Sequence, residues 1–297
     1  MLLNKPIPFK YIFNKVKSEL IYVLVIGILI HFITAAFHEF TPEIPLTIPT
    51  FLGTAISVIL SFKLNQSYDR WWEARKVWGS IVNDSRNLVI QLQSFVKKGN
   101  EAVVRRIALR HIGWCYSLGQ SLRDLDPVSV LHKFLDAEDL KTLEKHNNKP
   151  LGILQMNNMD LAELRENNQI DTFSHVQINN TFVNLTNSMG MVERIKSTIF
   201  PVTYRIFLHM IIYLFIIMLS ISLRDMPFYF EIPMLLIIAA FYFLLERTAT
   251  HLQDPFSNKP TDTAMTAIAT TIEINIRQLI NEKEIPQPYS TNDFYIK

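Results

Sequence analysis

Four apolar runs, grouped as two close pairs around a long polar middle, constrain this chain more than any other feature. Residues 21–37 read IYVLVIGILIHFITAAF, interrupted only by His31 and Thr34. Residues 45–62, PLTIPTFLGTAISVILSF, hold no charge at all. The third run, residues 206–223, is uncharged apart from His209, and the fourth, residues 232–245, gains length from an upstream PFYF. Crossing a bilayer takes roughly 17–25 mostly apolar residues. The competing reading is a large soluble core of buried helices. Two close pairs favour two transmembrane hairpins.

Basic residues set the expected orientation. Lys5, Lys10, Lys15 and Lys17 precede the first run, and Lys63, Arg70, Arg75 and Lys76 follow the second. The loop between them, HEFTPEIP, offers Glu39 and Glu43 and no Lys or Arg. The later pair is joined through a segment whose one basic residue is Arg224. Lys and Arg mark the cytoplasmic side, which predicts both termini inside. No small-residue cleavage pattern follows the first run, so it is expected to stay in the mature chain.

The middle is helical in pattern. Apolar positions at Trp71, Val77, Ile81, Leu88, Leu92 and Phe95 recur at helical spacing before a KKGN stop. A second helix follows, with Arg105, Arg106, Arg110 and Arg123 read as a solvated face rather than a binding patch. The net charge of +2 across 297 residues, with no basic run, predicts no nucleic-acid partner. Cys115 is the one cysteine, which excludes a disulfide framework and a thiolate metal site.

Catalytic signatures are missing: there is no HExxH, no nucleotide loop and no nucleophile context, so the chain is read as a non-enzyme. His251 and Asp254 stand one turn apart and could support a metal, although an aspartate before Pro255 is more often a turn residue. His31 and His209 lie within spans, where an ionisable group is by default a functional candidate. The plainer alternative for each is an imidazole bonded to a neighbouring helix.

The second run carries the sharpest pattern. Thr54, Val58 and Phe62 make one helical row, and Gly53, Ser57, Ser61 and Asn65 the row beside it. Small residues four apart let helices approach closely. Such a seam could pack on a neighbouring copy while the graded hydrophobes face a common axis. Apolar constrictions of that kind gate by dewetting. An ordinary lipid-facing span remains the alternative on these residues alone.

After this run comes SYDRWWEARKVWG, where Tyr68, Arg70, Trp71 and Trp72 resemble the aromatic, arginine and paired-tryptophan motif of the bestrophin family. A second block, VERIKSTIFPVTYRI, is similar to the bacterial element before the third span. It matches at Glu193, Arg194, Ile195, Thr198, Pro201 and Tyr204, with Ile199 in place of a proline. A third, QDPF, resembles the family's (N/D)PF at Asp254, Pro255 and Phe256. The blocks keep the family's order across nearly the whole chain.

The resemblance implies an all-α membrane protein, a homopentamer with four transmembrane helices per subunit, a cytosolic helical domain and a single axial pore. Its expected parts are a cytosolic segment (1–20), a first hairpin with the pore helix (21–62), a vestibule (63–204), a second hairpin (205–246) and a cytosolic C-terminal helix and tail (247–297). The membrane neck falls on Thr54, Val58 and Phe62, with Thr54 standing where relatives usually carry a bulkier apolar residue. A lower cytosolic constriction is expected at Phe182, with Ile178 and Leu185 as alternatives. The implied partners are other copies, the lipid bilayer and monovalent ions, in a bacterial inner membrane with both termini cytoplasmic. Cation permeation is weakly preferred, because Glu39 and Glu43 would ring the outer mouth while Lys63, near the neck exit, can turn its flexible stem to lipid headgroups. Anion (chloride) permeation is the alternative sign.

Animal members bind calcium just after the (N/D)PF element. Here that run is SNKPTD with one acid, Asp262, whereas calcium wants six to eight oxygens. No calcium clasp and no cofactor are expected. Two further classes fit the spans: a membrane-anchored oligomeric scaffold or signalling protein, and a secondary transporter.

Overall fold

The computed structural model describes residues 1–198, 201–291 and 293–296; Ile199 of the second motif lies outside them. Helices account for nearly all regular structure, and one antiparallel bridge joins Leu2 to Tyr295. The chain divides into two compact units.

The apolar unit comprises Asn4–Trp71 and Ile199–Asp254. It contains α1 (Phe9–Ala36), the first half of α2 (Thr47–Phe95), α7 (Val202–Ser222) and α8 (Phe228–Gln253), all four long and apolar enough to cross a membrane. Pro8, Pro201 and Pro227 occupy the N-cap positions of α1, α7 and α8. At a helix start a missing N–H costs nothing and a fixed φ helps. Val23, Ile56, Leu60, Ile212, Ile216, Ala239 and Phe243 form the centre of the apolar packing. A side chain at Gly27 would meet Ile232 at 3.0 Å, so the glycine lets α1 lie close to α8.

Polar side chains also hold this bundle. Glu231, fully buried, accepts a bond from Ser220 Oγ at 2.6 Å and pairs with His31 Nδ1 at 2.7 Å. Glu246, equally buried, takes Lys63 Nζ at 2.8 Å and Thr250 Oγ1 at 2.7 Å. His209 Nε2 lies 3.2 Å from the other Glu246 oxygen, within ion-pair range but off the line of an N–H bond. Arg247 pairs with Glu19. His31 thus bonds a carboxylate on a neighbouring helix, the plainer of the two readings, and His209 faces one without a hydrogen bond.

The second unit comprises Met1–Leu3, Trp72–Thr198 and Pro255–Lys297. It holds the second half of α2 with α3 (Glu101–Leu122), a 3₁₀ turn (Leu131–Lys133), α4 (Ala137–Glu144), α5 (Lys149–Glu166), α6 (Thr172–Ser197) and α9 (Met265–Leu279). Its core is built on Trp78, Ile81, Leu88, Leu92, Ile107, Trp114 and Ile272. Asp136, Asn148 and Asp171 cap α4, α5 and α6 through their side chains. Each supplies an acceptor to backbone N–H groups that have no partner inside the helix.

The arginines of α3 are a solvated face only in part: Arg105 stays exposed, and all four are engaged by other segments. Arg110 is buried and holds Asp139 through two bonds of 2.5 Å and Asp160 at 2.7 Å. Arg106 reaches the same Asp160 at 2.9 Å, Arg105 pairs with Glu282 at 2.5 Å, and Arg123 donates to Thr266 at 2.7 Å. Their acids come from distant segments, which a reading of α3 alone could not see.

Packing divides the chain at Trp71, Thr198 and Asp254, whereas the apolar runs themselves end at Phe62 and Leu245. The difference arises because α2 and α8 continue as helices past their apolar stretches, and Lys63, Ser67, Glu246 and Ala249 are still buried there.

Candidate functional site

On α2 the predicted row is bare on the single chain. Val58 is 51% exposed and Phe62 64%, and Thr54 is exposed as well, while Ile56, Leu60 and Lys63 fill the opposite face. Thr54 spends its hydroxyl proton on the Thr50 carbonyl at 2.9 Å. Lumen-facing and lipid-facing rows both require such exposure.

The small-residue seam splits. Gly53 is buried within the chain, where an added Cβ would meet Phe215 at 3.1 Å and the Tyr242 hydroxyl at 3.2 Å. Tyr242 donates to the Gly53 carbonyl at 3.1 Å and lies 3.3 Å from Ser57 Oγ. Gly53 therefore serves packing between α2, α7 and α8, and only Ser57, Ser61 and Asn65 stay exposed. A groove of about 690 Å³ opens beside Thr54 and Ser57, walled by Phe215, Ile237, Phe241 and Tyr242.

Lys63 corrects a second expectation. Its side chain is 1% exposed and bonded to Glu246 and Thr250, so it does not turn toward headgroups. The outer loop changes in the same way. Arg224, from the connection between α7 and α8, pairs with Glu43 at 2.7 Å and donates to the Thr41 carbonyl at 2.9 Å. Glu39 is exposed. The argument from two unopposed acids loses one of them.

Phe182, expected at the lower constriction, is covered on the single chain. Phe182 is 3% exposed, and Ile178 and Leu185 are fully buried in the core of their own unit. A side chain lining a lumen must be uncovered on the single chain. These three continue through Met189 and Val192 as one stripe at helical spacing, the core face of α6. The exposed apolar side chains on α6 are Phe173, at 88%, with Val176 and Val183. The signal was available: the stripe from Ile178 to Val192 is longer than any apolar row on the other faces.

The motif residues hold local structure. Tyr68 and Trp71 pack with ring centroids 6.0 Å apart, and Trp72 is 46% exposed. Glu193 accepts from Asn148, the cap of α5, at 2.8 Å, and Arg194 pairs with Glu73 at 3.2 Å. Pro201 starts α7, Asp254 ends α8, and Phe256 is fully buried. Arg70 and Pro255 belong to the same segments, and Pro255 accepts a backbone bond from Thr263 at 3.1 Å.

Asp262 is 2% exposed and accepts from the Lys259 backbone at 3.0 Å. Among the described residues no group of three or more His, Cys, Asp or Glu side chains is gathered for a metal. Inside the core of the same unit, His111 Nε2 lies 2.8 Å from Ser85 Oγ, with Cys115 Sγ 3.9 Å from both. Burial drives the His111 imidazole down to about 3 and the Cys115 thiol up to about 12. All three side chains are buried.

Comparison with known proteins gives a consistent picture. A family model described as Bacterial/Fungal Bestrophin protein matches residues 5–278. A protein of Escherichia coli O157:H7 named voltage-dependent anion channel-forming protein YneE is 30% identical over 276 residues, 93% of this chain and 90% of that one. The Ralstonia nicotianae protein RSc3414, named in the same way, is 27% identical over 247 residues, covering 82% and 80%. A crystal structure of a bacterial bestrophin homologue from Klebsiella pneumoniae, in a form carrying a mutation, superposes with a TM-score of 0.84 at 25% identity. That match covers 90% of this chain and 100% of the other. With four helices fit to cross a membrane and a family match over nearly its whole length, this chain belongs to the bacterial and fungal bestrophin family.

Proposed function

We propose that the chain assembles into a homopentameric channel in the bacterial inner membrane, both termini cytoplasmic, passing monovalent ions through an apolar neck of Thr54, Val58 and Phe62. The observation that carries this reading is the bare row on α2, backed by Ile56, Leu60 and a Lys63 that is locked to Glu246. A row so exposed faces either lipid or other copies of the chain, and the small exposed Ser57 and Ser61 beside it suit close approach of a neighbouring copy. Five copies around an axis would turn it into a hydrophobic ring of the kind that gates by dewetting. Phe173 takes the role first given to Phe182, as the exposed apolar group at the start of α6.

Discrimination between ion signs is weak in this proposal. The neck row has no charge, and Arg224 offsets Glu43, so Glu39 supplies the main negative field of the first outer loop. The E. coli and Ralstonia relatives bear the names of anion channel-forming proteins. Reversal potential in an asymmetric potassium chloride gradient tests the proposal on reconstituted protein. A value between the two equilibrium potentials is expected. A value at either one would overturn weak discrimination, and a protein without unitary currents would overturn the channel itself.

A further inference from the structure

From Thr172 to Val192, α6 contains no Asp, Glu, Lys or Arg. Its exposed side nevertheless carries four long polar side chains, Gln177, Asn180, Asn184 and Asn187. At about 100° per residue these fall within an arc of about 80°, and Phe173 falls inside the same arc. None of the four bonds to another group of its own chain among the described residues, unlike Asn158 and Asn179, which bond to each other at 3.0 Å on a different face.

That surface fits neither common use of an exposed helix face. A face left to bulk solvent ordinarily carries charge, as α5 does with Glu163, Arg165 and Glu166. An oligomer seam is depleted of charge as well, but its centre is filled mainly by apolar and aromatic side chains rather than by a row of carboxamides. Here a fully uncharged row of carboxamides runs beside half-exposed Val176 and Val183. A carboxamide offers both NH₂ donors and a carbonyl acceptor. It can replace part of the hydration shell of an anion or a cation, and without a fixed charge it traps neither.

We propose that Gln177, Asn180, Asn184 and Asn187 form an amide ladder that contacts monovalent ions in transit and sets the weak discrimination between their signs. The inference rests on the channel reading above and deepens it by naming the surface the ions touch. Five copies would give successive rings of carboxamides, each ring a site of low affinity.

Charge insertion on the reconstituted channel tests the ladder. Asn180→Asp with Asn184→Asp should move the reversal potential toward the cation side, and the paired Lys replacements toward the anion side. Each pair should change the cation-to-anion permeability ratio by about threefold or more if its ten charges, two per subunit, line the path. The chain also permits a test on otherwise unaltered protein, since its one cysteine is fully buried and unreactive. In Asn184→Cys channels, cationic and anionic methanethiosulfonate reagents should shift the reversal potential in opposite directions, which covers the case in which a charged pair fails to assemble. Wild-type currents together with unmoved reversal potentials in the labelled cysteine variant would overturn the ladder and leave the channel standing. A silent wild type would overturn both.

Discussion

Lys63 Nζ sits 2.8 Å from Glu246 Oε1, and neither side chain is open to solvent. The pair joins α2, directly after Phe62, to α8. Breaking a buried ion pair by removing one partner typically costs about 3–5 kcal/mol, because the remaining charge is stranded. Lys63→Met should therefore lower the melting midpoint of the detergent-solubilised protein by several degrees. Lys63→Met with Glu246→Leu should recover most of the loss. Equal loss in the single and double variants would show that the pair is not the stabilising unit.

The neck assignment makes a separate demand. If Val58 and Phe62 form the narrowest dry ring, Val58→Ala with Phe62→Ala widens it and lowers the dewetting barrier. Unitary conductance or open probability should rise in correctly assembled double mutants. Unchanged single-channel records would count against the row.

Arg224 gives a handle on the outer mouth. Arg224→Gln would release Glu43 from its 2.7 Å partner and leave its charge unopposed. Surface pairs contribute little stability, typically about 0–1 kcal/mol, so the readout is electrical. The reversal potential should move toward the cation side, and adding Glu43→Gln should return it. A shift that persists without Glu43 would assign the effect to another group.

Calcium should neither open the channel nor stabilise it. Asp262 is the lone acid in its loop and is already engaged by the Lys259 backbone. A rise in melting temperature at micromolar calcium, lost in Asp262→Ala, would contradict the proposal.

Acid should destabilise the second unit through His111. Its folded-state value, about 3, lies below the ordinary histidine value of 6.5. Between those values the unfolded chain binds the proton and the folded chain does not. Stability is then fully present above about pH 6.5 and falls as the pH drops toward 3, by up to about 1.4 kcal/mol per pH unit. His111→Gln should flatten that part of the unfolding profile measured from pH 4 to 7; an unchanged slope would locate the acid sensitivity elsewhere.

The membrane helices and the row at Thr54, Val58 and Phe62 were legible because both signals are local: run length in one case, helical spacing in the other. The motif blocks carried the family for the same reason. What stayed hidden depends on residues far apart in sequence. Glu43 looked unopposed until Arg224, from the other hairpin, was seen beside it, and Lys63 looked mobile until Glu246 closed over it. Gly53 was grouped with Ser57 by spacing, yet Tyr242 claims it for the subunit's own packing. The burial of Phe182 was hidden for another reason. Distance along the chain does not show which side of α6 a residue faces, and the stripe through Ile178, Leu185 and Val192 marks the side of Phe182 as core.

The carboxylates on α8 bear on how the chain is made. Glu231 and Glu246 would be costly to release into lipid alone. Their partners on other helices are His31 and Ser220 for the first, and Lys63 and His209 for the second. Every one of those residues precedes α8 in the chain. Synthesis from the N-terminus thus delivers α8 to the translocon only after the groups that neutralise it have been translated, and the order of the helices along the polypeptide becomes part of how the last span is inserted.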